Sequence, residues 1–141
     1  MDTSDVKSLE SLDRDEAVEL LGSEQIGRLV YTRRALPAAT PVNYVVRDGA
    51  VCFWTASAGT LAKAVHGAVV GFEVDRVDPE TRTGWSVLVL GIAEVTTDPE
   101  ELEIARVFGP QPWAPGRMEY LIRIPLAEVT GRRITPWFSF T

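Results

Sequence analysis

The chain has 141 residues, 45% of them hydrophobic and 24% charged, which suits one compact domain with a modest core and leaves too little for two. With no apolar run of about 18 residues it does not read as a membrane protein, and a net charge of −6 opposes general nucleic-acid binding. A single cysteine, Cys52, and a single histidine, His66, exclude an internal disulfide and leave too few soft ligands for a zinc site, so no metal is expected.

Residues 1–11 are polar and acidic and read as a flexible N-terminus. They lack the basic start and apolar stretch of a secretory signal, so the expected location is cytoplasmic. Residues 12–141 then read as one domain. Asp13, with Glu16 three residues on, is a helix-capping pattern; it predicts a helix over 13–21, stapled by Leu12 against Ala17 and stopped at Gly22. Residues 27–31, 40–47 and 51–55 are β-branched or aromatic runs and read as strands. Between the last two, Asp48-Gly49 is a two-residue hairpin signal, because both positions of such a turn want a positive φ.

A short helix is predicted over 60–66, between Gly59 and Gly67, followed by a strand over 69–77 and a loop over 78–84. A long apolar strand over 85–96 carries Gly91, which marks a bulge or bend. Asp98-Pro99-Glu100-Glu101 repeats the capping pattern with proline at the first helical position, predicting a helix over 99–107. Three prolines in residues 109–116 make a long loop, and 119–125 and 128–134 read as closing strands. Six or seven strands joined by short helices do not make the alternation of a parallel sheet. The fold class is therefore mainly β, an antiparallel barrel with short helices.

The most informative segment for chemistry is residues 55–63. A strand ends in Thr55, Ala56 and Ser57, and a helix opens with Thr60 and, three residues on, Lys63. Free backbone N–H groups at a helix start attract anions, and small residues allow a phosphate to approach them. This is a candidate phosphate cradle; the alternative is a capped surface helix with a solvated lysine. Lys63 stands out because only it and Lys7 are lysines among 14 basic residues. A Walker A loop and a dinucleotide fingerprint are both absent.

Pro41-Val42-Asn43-Tyr44 puts a proline and an asparagine inside a strand pattern. Two readings of Asn43 stay open, contact with a heteroaromatic ring or satisfaction of a backbone group at a bulge. Trp85-Ser86 starts the longest strand, and Trp113 sits among the prolines. Their indoles suit either stacking on a ring or packing in a core or subunit interface. Cys52 reads as packing, His66 as structural, and no triad is visible.

Taken together, Gly27-Arg28-Leu29, Pro41-Val42-Asn43-Tyr44, residues 55–63, residues 84–91 and Val129-Thr130-Gly131-Arg132-Arg133 resemble the pyridoxamine 5'-phosphate oxidase-like, FMN-binding split-barrel family. The resemblance implies a six-stranded antiparallel split β-barrel that works as a homodimer with two flavin sites at the subunit interface. It implies that residues 55–63 hold the flavin phosphate, through Thr55, Ala56, Ser57, Thr60 and Lys63. Pro41, Val42, Asn43 and Tyr44 would line the ring, with Trp85, Ser86 and Trp113 approaching from the same or the partner subunit. The cofactor it implies is FMN, with the deazaflavin F420 as alternative.

The C-terminal arginine and histidine constellation of true pyridoxamine phosphate oxidases is missing after Arg132-Arg133, which argues against vitamin B6 oxidation. His66 is badly placed for a haem ligand, and nitro-compound reduction stays open. The expected activity is that of a flavin-dependent oxidoreductase acting on a small molecule. The alternatives are a non-enzymatic flavin-binding or sensing protein and a structural dimer whose cofactor site has decayed. No catalytic side chain is assigned.

Overall fold

The computed structural model describes residues 7–55, 60–113 and 118–136. Within them, in chain order, lie β1 (Lys7–Ser11), α1 (Arg14–Leu21), β2 (Ile26–Arg33), β3 (Leu36–Asn43), β4 (Val45–Arg47), β5 (Ala50–Thr55), α2 (Thr60–Val65), β6 (Val69–Asp78), β7 (Thr83–Ile92), β8 (Glu94–Thr96), α3 (Pro99–Phe108), β9 (Tyr120–Pro125) and β10 (Glu128–Pro136). The strands form a six-stranded sheet in the order β1-β10-β7-β6-β2-β3 and a four-stranded sheet in the order β4-β5-β9-β8. Every pairing is antiparallel. The two sheets do not close on each other among the described residues, which gives a split barrel.

The chain changes sheet at two buried residues. Tyr44 separates β3 from β4, and Ala93 separates β7 from β8. At Tyr44 the N–H donates to the Gln25 carbonyl at 3.1 Å, the hydroxyl donates to the Leu21 carbonyl, and the ring meets Phe72 edge-on at 4.9 Å. At Ala93 the N–H donates to the Ala68 carbonyl while its own carbonyl accepts from Gly67, both at 2.9 Å. These contacts satisfy backbone groups that the sheet ladders abandon there. The runs read from sequence as unbroken strands over 40–47 and 85–96 are therefore each two strands in different sheets.

Between the sheets lies the core, with Leu29, Phe53, Phe72, Val74, Val89, Ile122 and Ile124 fully buried. Each such side chain contributes about 1.5–3 kcal/mol by leaving water. The motif glycine Gly27 belongs to this packing, since a Cβ there would stand 2.5 Å from the Phe72 ring. Gly91 has a similar role. The pairing of β6 with β7 runs through it without a bulge, and a Cβ would stand 2.6 Å from the Pro125 carbonyl oxygen.

Both longer helices start as expected, Asp13 accepting from the Glu16 N–H at 2.8 Å and Asp98 from the Glu100 N–H at 3.2 Å. Asp48-Gly49 makes its turn at φ 51° and 71°. Two further features differ from the sequence reading. Lys7–Ser11, read as part of a flexible start, pair with β10 as an edge strand. Leu36–Asn43 is strand along its whole length because Arg34 and Ala35 turn at φ 52° and 64°, a hairpin built without the glycine or asparagine that would announce it.

Candidate functional site

Of four elements, the ends of β3 and β5 meet at a third, the proline-rich loop, while α2 stands on a cavity of its own. The end of β3 supplies Pro41, Val42 and Asn43; the end of β5 supplies Trp54 and Thr55; α2 supplies Thr60 and Lys63; and the proline-rich loop supplies residues 110–113. Asn43 and Trp54 both reach that loop. The Asn43 amide donates to the Gln111 carbonyl at 2.6 Å and accepts from the Trp113 N–H at 3.2 Å. The indole N–H of Trp54 donates to the Pro110 carbonyl at 3.1 Å, and the Arg106 guanidinium lies 5.4 Å from its ring centroid. Asn43 thus satisfies backbone groups, but those of a distant loop rather than of a bulge.

Lys63 is exposed on α2 and opens on a cavity of 390 Å³ lined with Ala62, His66, Val95 and Tyr120. Among the described residues no ion pair occupies its ammonium. Tyr120 is the cross-strand partner of Thr55, so strand pairing brings the cavity wall to the buried hydroxyl at the end of β5. His66 is fixed by the Val95 N–H, which donates to Nδ1 at 3.2 Å. In that bond Nδ1 is the acceptor. α2 has only six residues, so its dipole is small and the ammonium dominates the attraction for an anion.

Not every expected residue joins this cluster. Tyr44 turns its ring into the core, where burial first and the Glu24 charge second push its phenol well above the ordinary range; its hydroxyl therefore stays a donor. Trp85 and Ser86 lie on β7, separated from β3 by β6 and β2. They line a different cavity, of 580 Å³, with Asp75, Asp78 and Arg132. Ala56 and Ser57 lie outside the described residues. Trp54, Tyr120 and Gln111 were not assigned to the site from the sequence, because only the sheet register and the path of the loop bring them here.

A third cavity, of 320 Å³, lies beneath α3 on the outer face of the four-stranded sheet, between Arg47 and Arg123, with Cys52 in its lining. Burial pushes the Cys52 thiol up against the opposing effect of both arginines, in keeping with a packing role. No helix among the described residues is long and apolar enough to cross a membrane.

The outer face of the six-stranded sheet is of another kind. Val30, Val69, Leu88, Leu90 and Ile92 are exposed there in one patch, since Val30 pairs with Gly71, Gly71 with Leu90, and Val69 with Ile92. Beside it Arg28 holds Glu73 at 2.8 Å and Asp75 at 3.5 Å. Desolvation, then the hydrogen bond and charge of Asp75, raise the Glu73 carboxyl to about 7 in spite of Arg28.

Fold and site together define a split-barrel protein with a proline-rich loop tied to the ends of β3 and β5, a cavity beside Lys63 and an apolar sheet face. Residues 13–133 match the pyridoxamine 5'-phosphate oxidase family, and the chain belongs to it. It is 44% identical over 129 residues to an uncharacterized protein of Mycobacterium tuberculosis, covering 87% of this chain and 84% of that one. A conserved protein of unknown function from Corynebacterium diphtheriae has a solved structure that is 36% identical, with TM-score 0.74 over 90% of this chain and 98% of the other. The FAD binding protein from Mycobacterium smegmatis is 31% identical, with TM-score 0.68 over 89% and 98%.

Proposed function

We propose that this chain binds a flavin, as FMN, in the cleft between the end of β3, the end of β5, α2 and the proline-rich loop, and that it acts as an oxidoreductase on a small molecule. The observation that carries the reading is Lys63, an unpaired ammonium on a cavity whose wall is the hydroxyl-bearing Tyr120. Cation and hydroxyls suit a phosphate. Thr55, Ala56, Ser57 and Thr60 complete the phosphate side in this reading. Pro41, Val42 and the backbone of Asn43 and Tyr44 face the ring, and Trp113 closes over it. The FAD binding relative from M. smegmatis supports a flavin as the ligand class. A bound flavin supplies the electron-accepting and electron-donating chemistry, while the protein binds, orients and shields it.

The reading includes a homodimer. A patch of exposed aliphatic side chains on one sheet face is unusual on a monomer and suits a second copy. Ser86 edges the same face while its neighbour Trp85 packs against the core, so a two-fold partner can bring this part of its own β7 to the cleft that one chain's β7 does not reach. Such an interface should bury more than about 1,000 Å². Light scattering at micromolar concentration should give twice the chain mass, and a monomer would remove this second wall.

Mass spectrometry of the ligand released from purified protein should find FMN. FAD or F420 would overturn the choice of flavin, and a colourless protein that takes up none of the three would overturn the flavin itself. Lys63→Ala should weaken FMN binding by roughly 1.5–3 kcal/mol, about one to two decades in affinity, and riboflavin, which lacks the phosphate, by less. Unchanged FMN affinity in a folded variant would return Lys63 to the role of a solvated surface lysine.

A further inference from the structure

The loop over 110–113 cannot hold itself in place by strand pairing, because Pro110 and Pro112 have no N–H to give. Three of its backbone groups are taken up by side chains from outside it. Trp54 binds the Pro110 carbonyl, and Asn43 binds the Gln111 carbonyl and the Trp113 N–H at once. The Gln111 side chain ties back to the Arg106 carbonyl near the end of α3 at 3.3 Å. The two groups bound by Asn43 flank Pro112, as the groups on either side of one residue do along a strand edge. A carboxamide carries an N–H donor and a carbonyl acceptor at the right spacing to serve both. The loop it fixes leaves the Trp113 indole 62% exposed at the end of β3.

We infer that Asn43 is a positioning residue which acts through the loop, clamping it so that the Trp113 indole forms the aromatic wall of the cleft for a planar ring. This rests on the flavin reading above. In it the Asn43 amide is held on the loop by its bonds to the Gln111 carbonyl and the Trp113 N–H, and the side chain that touches the ring is Trp113. Asn43→Asp keeps the shape and the acceptor for the Trp113 N–H, yet sets a carboxylate against the Gln111 carbonyl, so it opens the clamp as Asn43→Ala does.

The test is a double-mutant cycle read by FMN titration and tryptophan fluorescence on the full chain. Trp113→Phe should weaken FMN binding several-fold and remove one component of the quenching that FMN causes. Asn43→Ala should do the same, and Asn43→Ala with Trp113→Phe should lose no more than either alone, since groups acting as one unit are not additive. Losses that multiply would overturn the inference, as would an Asn43→Asp variant that shifts the flavin absorption while leaving Trp113 quenching intact, because either result puts Asn43 on the ring itself. Amide exchange in the ligand-free protein separates this failure from failure of the flavin reading. The Trp113 N–H should exchange at least tenfold faster in Asn43→Ala, and an unchanged rate would overturn the clamp whether or not the wild type binds flavin.

Discussion

The two sheets are covered differently. Every residue of β5 in the four-stranded sheet is buried, the core taking Val51 and Phe53 on one side, while Trp54 on the other packs with Leu102 and Ala105 of α3. In the six-stranded sheet β7 alternates instead, with Val87 and Val89 buried while Leu88 and Leu90 are each 36% exposed. The same aliphatic residue types therefore stand under a helix in one sheet and face outward in the other. A sheet that alternates aliphatic-in with polar-out is finished as a monomer; one that is aliphatic on both faces has a side still to be covered. The four-stranded sheet is completed by its own chain, and the six-stranded sheet awaits a second copy under the proposal above.

The largest effect should come from the doubly covered sheet. Phe53→Ala removes a ring stacked 6.0 Å from Phe72, and a loss of about 3–5 kcal/mol in denaturant unfolding is expected. A loss under about 1 kcal/mol would mean that the core does not run between the sheets as described. Leu90→Glu sets a charge at the centre of the uncovered patch. It should leave the isolated fold nearly as stable, because the side chain already meets solvent, but convert a dimer to a monomer in light scattering. A Leu90→Glu protein that stays dimeric would move the interface elsewhere.

The smallest effect concerns Glu73 on the same face. Its carboxyl titrates near 4.5 when unperturbed and near 7 in the folded protein, so between those values the folded state keeps a proton that the unfolded state has lost. The stability from this group is complete below pH 4.5 and is lost as pH rises through about 7. Glu73→Gln, which stays neutral, should flatten the stability curve over that window and gain on the wild type at pH 8. Parallel curves for the two proteins would assign the pH dependence to other groups.

Local signals were legible in the sequence wherever one residue's chemistry settles one backbone bond. Asp13 and Asp98 cap their helices, and Asp48-Gly49 turns its hairpin, because side-chain oxygens and positive φ act within a few residues. The hairpin at Arg34-Ala35 was not legible, since neither residue favours the conformation that it holds and the ladder from Ile26 to Asn43 imposes it. The start of the cleft was legible as well, as a strand passing into a helix with Thr60 and Lys63. Its other wall was not: Tyr120 faces the cavity through its register with Thr55, and the proline-rich loop reaches Asn43 from 68 residues away.

By itself the sequence determined the class of fold, the caps and the hairpin turn at Asp48-Gly49, because these follow from residue preferences and local hydrogen bonding. Only the tertiary structure decided that Tyr44 and Ala93 pass the chain between sheets, that Asn43 spends its amide on a loop, and that Trp85 and Ser86 stand away from Lys63. Those outcomes depend on which distant backbone groups are left without partners once both sheets have formed, and no stretch of the chain carries that information alone.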